Sequence, residues 1–192
     1  MFETLILSIA SFVGTNIDDM FLNTLFFSDT KTKEEKKSIV YGKYIGIGIL
    51  IVLSILGALG LQFLPQHYIG YLGFVPICLG IKEIIVNINS RDNGNDPIIT
   101  SANKMMNTAL ITIANGADNI GVYIPLFTGF MTWQIILTVC IFLVLIAVWC
   151  FLGIVLAELP VLKMFLTKYK FVIVPLVYIV LGIYIILKNF QM

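Results

Sequence analysis

Apolar residues run along this chain in six long blocks separated by short polar stretches. A helix crossing the hydrocarbon of a bilayer takes about 20 such residues, more if it tilts. The pattern predicts six spans, from about Phe2 to Phe27, Ile39 to Leu64, Tyr68 to Ile88, Lys104 to Phe127, Trp133 to Ala157 and Phe171 to Leu187. Only Pro65-Gln66-His67 separates the second from the third, and Thr128 to Thr132 the fourth from the fifth, so these neighbours run antiparallel. The stretch from Asn89 to Asn103, rich in Asn, Asp and Ser, reads as a linker. One transmembrane domain covers residues 1–192, divided into a half at about 1–88, the linker at about 89–103 and a half at about 104–192.

The halves resemble one another. A shift of 100 positions lays Thr15-Asn16-Ile17-Asp18-Asp19 on Asn115-Gly116-Ala117-Asp118-Asn119. Leu79-Gly80-Ile81 in the third span answers Leu181-Gly182-Ile183 in the sixth. Three helices are an odd number, so a second copy enters the membrane upside down. The expected fold is an all-α membrane protein of six transmembrane helices in two inverted three-helix repeats, with a site where the repeats meet.

Composition agrees. Of 192 residues 59% are hydrophobic and only 12% charged, about half the charge of an ordinary soluble domain. Mean hydropathy is +0.98. A net charge of +1 provides no basic surface for nucleic acid. Cys78, Cys140 and Cys150 lie in apolar runs without Cys-x-x-Cys spacing and read as packing residues. The N-terminal block, opening with Glu3, is too long for a cleavable signal. Lysines give the orientation: Lys31, Lys33, Lys36 and Lys37 in loop one, Arg91 and Lys104 around loop three, Lys163, Lys168 and Lys170 in loop five. Odd loops are then cytoplasmic and both termini outside, against the lone dissent of Lys188.

Most other charges sit at span ends, where Lys82, Glu83 and Glu158 are expected to reach the headgroups, while Lys43, beside Gly42, is expected to snorkel inward. His67 reads as a turn residue. Asp18, Asp19 and Asp118 are different, because they fall deep in the first and fourth spans, where a charge costs about 2.5–3.5 kcal/mol. Thr4, Ser8, Ser11, Thr15 and Asp18 follow helical spacing, as do Thr108, Thr112, Asn115, Asp118 and Asn119. Asn16, Asp19 and Asn23 form a second stripe beside the first. Facing stripes would line a path, and Gly14 and Gly116 would loosen the helices and free carbonyl oxygens there. Interhelical hydrogen bonding accounts for a lone Asn or Thr. Three carboxyls at matched depth in both halves call for a cation. Asp18, Asp118, Asp19, Asn16, Asn115 and Asn119 are therefore the expected metal-handling residues, an oxygen-rich set that suits divalent ions such as manganese and calcium. Gly42-x-x-x-Gly46 is a close-packing face, open to another helix of the chain or to a second copy in a homodimer.

Thr15-Asn16-Ile17-Asp18-Asp19 with Phe26-Phe27, and the long run from Asn115-Gly116-Ala117-Asp118-Asn119 to Pro125-Leu126-Phe127, resemble the bacterial cadmium-resistance transporter family of the lysine-exporter superfamily. The resemblance extends over the whole chain. It implies efflux of cadmium, and in some members other divalent metals, across the bacterial plasma membrane. Family members vary at the position of Asp19, which makes Asp18 the stronger assignment. The residues themselves reach a divalent-cation exporter but not cadmium. Manganese, calcium or another divalent metal is the alternative cargo. An amino-acid exporter is a more remote reading, since a zwitterion calls for a cationic partner for its carboxylate and no Lys or Arg is expected near the two motifs. An intramembrane aspartyl protease needs Tyr-Asp and Gly-x-Gly-Asp, whereas Ile17-Asp18 and Gly116-Ala117-Asp118 stand here, so no enzyme is expected. No cofactor is expected either. The chain has no Gly-x-x-x-x-Gly-Lys-Ser/Thr loop for a nucleotide, which leaves a countermoving ion, protons first, to drive export.

Overall fold

The computed structural model describes residues 1–17, 19–61, 71–89, 103–158 and 175–187, and the regular elements among them are all α-helices. In chain order they are α1 (Phe2–Asn16), α2 (Asp19–Ser28), α3 (Lys33–Leu61), α4 (Phe74–Asn89), α5 (Lys104–Ala114), α6 (Ala117–Thr128), α7 (Thr132–Glu158) and α8 (Pro175–Leu187). Local side chains set several starts. Thr32 Oγ1 accepts from the Glu35 N–H at 3.2 Å while Glu35 returns to the Lys31 N–H at 2.7 Å, a reciprocal cap that opens α3. Asn103 Oδ1 takes the Met106 N–H ahead of α5, and Gln134 Oε1 takes the Met131 N–H ahead of α7.

Two helices, α3 with 29 residues and α7 with 27, are long and apolar enough to cross a membrane, and the bent pair α1–α2 makes a third if it counts as one span. Their outer faces carry Val52, Leu56, Val144 and Phe151, all more than half exposed, as a lipid-facing surface requires. Residues 62–70, 90–102, 159–174 and 188–192 lie outside the described residues, and with them the Pro65-Gln66-His67 turn, Arg91, Pro160, Lys163, Lys168, Lys170 and Lys188. Asp18 lies outside them too.

The two acidic spans are not the continuous helices that periodicity suggested. α1 and α2 meet at 61° across residues 17 and 18. α5 and α6 are parted by Asn115 and Gly116, where the Gly116 N–H turns back to the Ile113 carbonyl at 3.0 Å and α6 begins with the Ile120 N–H on the Gly116 carbonyl. Gly14, expected to loosen its helix, stays helical. Its missing side chain serves packing instead, since a Cβ there would stand 2.6 Å from Val177 of α8.

With lipid outside, helices associate through close packing and hydrogen bonds. α3 lies along α5 and α6, and α7 along α1 and α2, while α6 also touches α1 and α4. Gly42 and Gly46 admit Thr108 and Thr112 of α5, where added Cβ atoms would come within 2.8 Å of those side chains. The small-residue face is therefore filled by the chain's own helix and is not open to a second copy. α4 and α8 cross on glycine: a Cβ at Gly80 would meet Ile179 and the Pro175 carbonyl, and one at Gly182 would meet Ile77 and the Gly73 carbonyl. Phe12, Phe142, Trp149 and Tyr123 fill the centre, with Phe12 5.3 Å from Phe142 and 5.5 Å from Trp149, edge-on to the latter.

At the end of the bundle that carries Lys31 to Lys37, Lys104 of α5 donates to the Asp29 carbonyl at 2.6 Å and lies 3.3 Å from the Asp29 carboxylate and 3.2 Å from Glu35. The Lys31 N–H and then Lys104 hold the Glu35 carboxyl below its ordinary range.

Candidate transport cavity

The two broken helices meet around a cavity of about 370 Å³. Its walls carry Asn16, Asp19, Asn115, Asp118 and Asn119, five of the six expected residues, together with Thr15, Thr112, Lys82 and Tyr178. Asp18, the sixth, lies outside the described residues. A water takes about 30 Å³ of liquid, so an ion with part of its hydration shell has room here.

The centre is a hydrogen-bonded clasp between α1 and α6. The Tyr123 hydroxyl lies 2.9 Å from Thr15 Oγ1 and accepts from Asn16 Nδ2 and Asn119 Nδ2, each at 3.0 Å. Asn119 also donates to Thr15, and Asn16 to the Phe12 carbonyl. All four side chains are buried, which raises the value of having every donor matched. The two amides thus share the Tyr123 hydroxyl and Thr15 Oγ1 as common acceptors across the helix pair. Asn115 is more exposed and donates to the Ile111 carbonyl.

The two described carboxylates differ. Asp118, in the first turn of α6, accepts from the Tyr178 hydroxyl at 2.7 Å and from the Asn119 N–H at 3.0 Å. A carboxylate at a helix start also gains from the helix dipole. Asp19, the first residue of α2, pairs through Oδ2 with Lys43, whose side chain is only 2% exposed. Lys43 therefore turns inward, as expected. It lies on the inward face with Gly42, Gly46 and Ile47, and its ammonium rests 5.7 Å from the centre of the Phe26 ring. Lys82 is not spent at the headgroups alone, because it also lines the cavity. Cations absent from the two motifs in sequence are thus brought to them by α3 and α4.

The expected facing stripes hold only near the breaks. Thr4 and Ser8 turn to α7, with Gln134 Nε2 donating to Thr4 at 2.9 Å and Ser8 2.8 Å from Thr138. Thr108 faces the glycines of α3. Asn23 donates to the Trp149 carbonyl, and the Trp149 indole N–H donates to the Asn16 carbonyl at 2.8 Å, so one α7 residue grips both sides of the first break. Of the cysteines, Cys150 is buried as expected, while Cys78 and Cys140 are exposed and do not pack inside. Among the described residues no three His, Cys, Asp or Glu side chains converge as a ready metal cage.

Sequence reasoning missed Tyr123, Tyr178, Lys43 and Trp149. Tyr123 had a visible signal, four residues after Asn119 on the same helical face. Lys43 had one also, beside two glycines of an inward face.

Apolar helices of spanning length, packed against the broken helices that enclose a polar, acidic cavity, mark an integral membrane protein. The chain belongs to the cadmium resistance transporter family, whose sequence profile matches residues 12–192. No curated protein and no solved structure matches it.

Proposed function

We propose that this protein exports divalent metal cations, cadmium foremost, from the bacterial cytoplasm by proton antiport, using six spans arranged as two inverted repeats with both termini outside. The observation that carries this reading is the cavity into which both acidic motifs open from interrupted helices. Asp18, Asp118 and Asp19 supply carboxylate oxygens for the metal, and Asn16, Asn115 and Asn119 support them. The inverted repeat draws support from the α4–α8 crossing. The offset from Gly80 to Gly182 also carries Gly73 to Pro175 and Ile77 to Ile179, so the contacts of one glycine repeat those of the other.

Coupling follows from charge. Moving a divalent cation out against an inside-negative potential costs about 4.6 kcal/mol at 100 mV. When the metal leaves outward, the carboxylates that held it take up protons in its place. Their protons then travel inward, and two protons per metal cancel the electrical cost. Purified protein in vesicles with an internal pH dye tests this: cadmium flux should move protons in the opposite direction and respond to an imposed pH gradient. Flux that ignores the gradient would leave a uniporter or another coupling ion. Manganese and calcium in the same assay test the alternative cargoes. Lys82 on the cavity wall, with Lys43 paired to Asp19, removes the main objection to an amino-acid cargo, so an amino-acid efflux arm belongs beside the metal arms.

A further inference from the structure

Asp19 is a half-used carboxylate. Its Oδ2 is taken by Lys43, while its Oδ1 is buried and has no hydrogen-bond partner among the described residues. A buried ion pair gains little over its desolvation cost unless the remaining lone pairs are also satisfied. This one leaves a buried oxygen unmatched on the wall of a cavity that holds a second carboxylate. A ligand able to use both oxygens competes well with the lysine.

We infer that the Lys43 ammonium is a tethered counter-cation, holding the Asp19 arm of the site while no metal is bound and giving it up when metal enters. The inference rests on the metal-site reading of the cavity. Lys43 stands on a backbone fixed by Gly42 and Gly46 against α5, so the exchange is a side-chain event. The Phe26 ring gives the displaced ammonium a face to rest on without leaving the protein. Because Asp19 opens α2 and Lys43 belongs to α3, the empty site ties these helices together and the loaded site releases them. Lys43 is thus a positioning residue that sets apparent metal affinity: the site binds only in the fraction of molecules whose pair is open, and affinity is reduced by that fraction.

The test is cadmium titration by calorimetry on purified full-length protein, comparing wild type with K43Q, K43R, D19N and D19N/K43Q. K43Q should bind about tenfold more tightly or better, the expectation if the pair is open in a tenth of molecules or fewer. K43R should stay near wild type. In the D19N background the K43Q gain should shrink, because no pair remains to compete. A merely structural lysine would give weaker binding on removal, so the sign itself discriminates. If K43Q does not fold, K43M removes the charge with a similar stem and is read the same way. Unchanged or weaker binding by the folded variant overturns the inference, as does an equal gain with and without Asp19, which would indicate long-range repulsion. Failure of the wild type to bind any metal overturns the metal-site reading and this inference with it, whereas a binding wild type with an indifferent K43Q removes only the latter.

Discussion

Tyr123 shows how one hydroxyl can hold two helices. It accepts from two buried amides and lies against Thr15, so Tyr123→Phe leaves donors on α1 and α6 with one acceptor fewer. A buried polar group stripped of its partner costs about 1–3 kcal/mol. Thermal unfolding in detergent should fall accordingly, and an unchanged midpoint would mean the clasp contributes nothing. Asp118 has a different task. Asp118→Asn keeps much of the bonding with Tyr178 and Asn119 but removes the charge, so transport should vanish while the protein still inserts. Asp19→Asn should be milder, because part of the Asp19 charge is already committed to Lys43. Cadmium resistance of cells, normalised to inserted protein, checks both. Full resistance with Asp118→Asn would remove that residue from the site.

At the scale of the helix, glycines of one element separate into two kinds. Gly46 faces Thr112 with no room for a side chain, whereas nothing among the described residues lies within 4 Å of a Cβ placed on Gly48. Gly46→Leu should abolish correctly folded protein in the membrane. Gly48→Ala should be tolerated and should raise helix stability by about 0.5–1 kcal/mol. Equal yields of folded protein from the two variants would show that α3 and α5 are not packed this closely. The Lys104 cluster predicts a pH response. Glu35 is held below its ordinary range, so its contribution is fully present above the usual carboxylate pKa of about 4.3. It is lost as pH falls through the lower folded value. Glu35→Gln should flatten that acid limb of the unfolding curve, and a limb of unchanged steepness would assign the acid sensitivity elsewhere.

Across the whole molecule, Gly80 and Gly182 occupy corresponding places in the α4–α8 crossing. Gly80→Leu and Gly182→Leu should therefore lower transport by similar factors, and a large effect from only one would break the proposed equivalence of the halves. How far this architecture was legible in the sequence depends on what each signal measures. Hydropathy measures length and polarity, so it located the apolar blocks, the membrane class and the acidic motifs. It does not measure continuity: Gly116 marked the break at Asn115–Gly116, whereas Gly14 pointed to the wrong place and the break beside Asp19 had no glycine to show it. Periodicity assigns a residue to a face but not to a neighbour. That is why Thr4 and Ser8, placed correctly on one stripe of α1, turned out to bond α7. Lys43 was expected to snorkel inward beside its glycines, and nothing in the linear pattern showed that Asp19, 24 residues earlier, would be its partner.

The Trp149 bridge across the first break has a practical consequence. The chain contains two tryptophans, and Trp133 stands at the start of α7, about half exposed. Replacing Trp133 with Phe leaves Trp149 alone, its indole N–H resting on the Asn16 carbonyl and its backbone carbonyl accepting from Asn23. Indole emission is sensitive to the polarity and hydrogen bonding of its surroundings, so this protein carries a native fluorophore at the bend between α1 and α2. Stopped-flow emission of the Trp133→Phe protein, mixed with cadmium, would follow the bend in time without any attached dye.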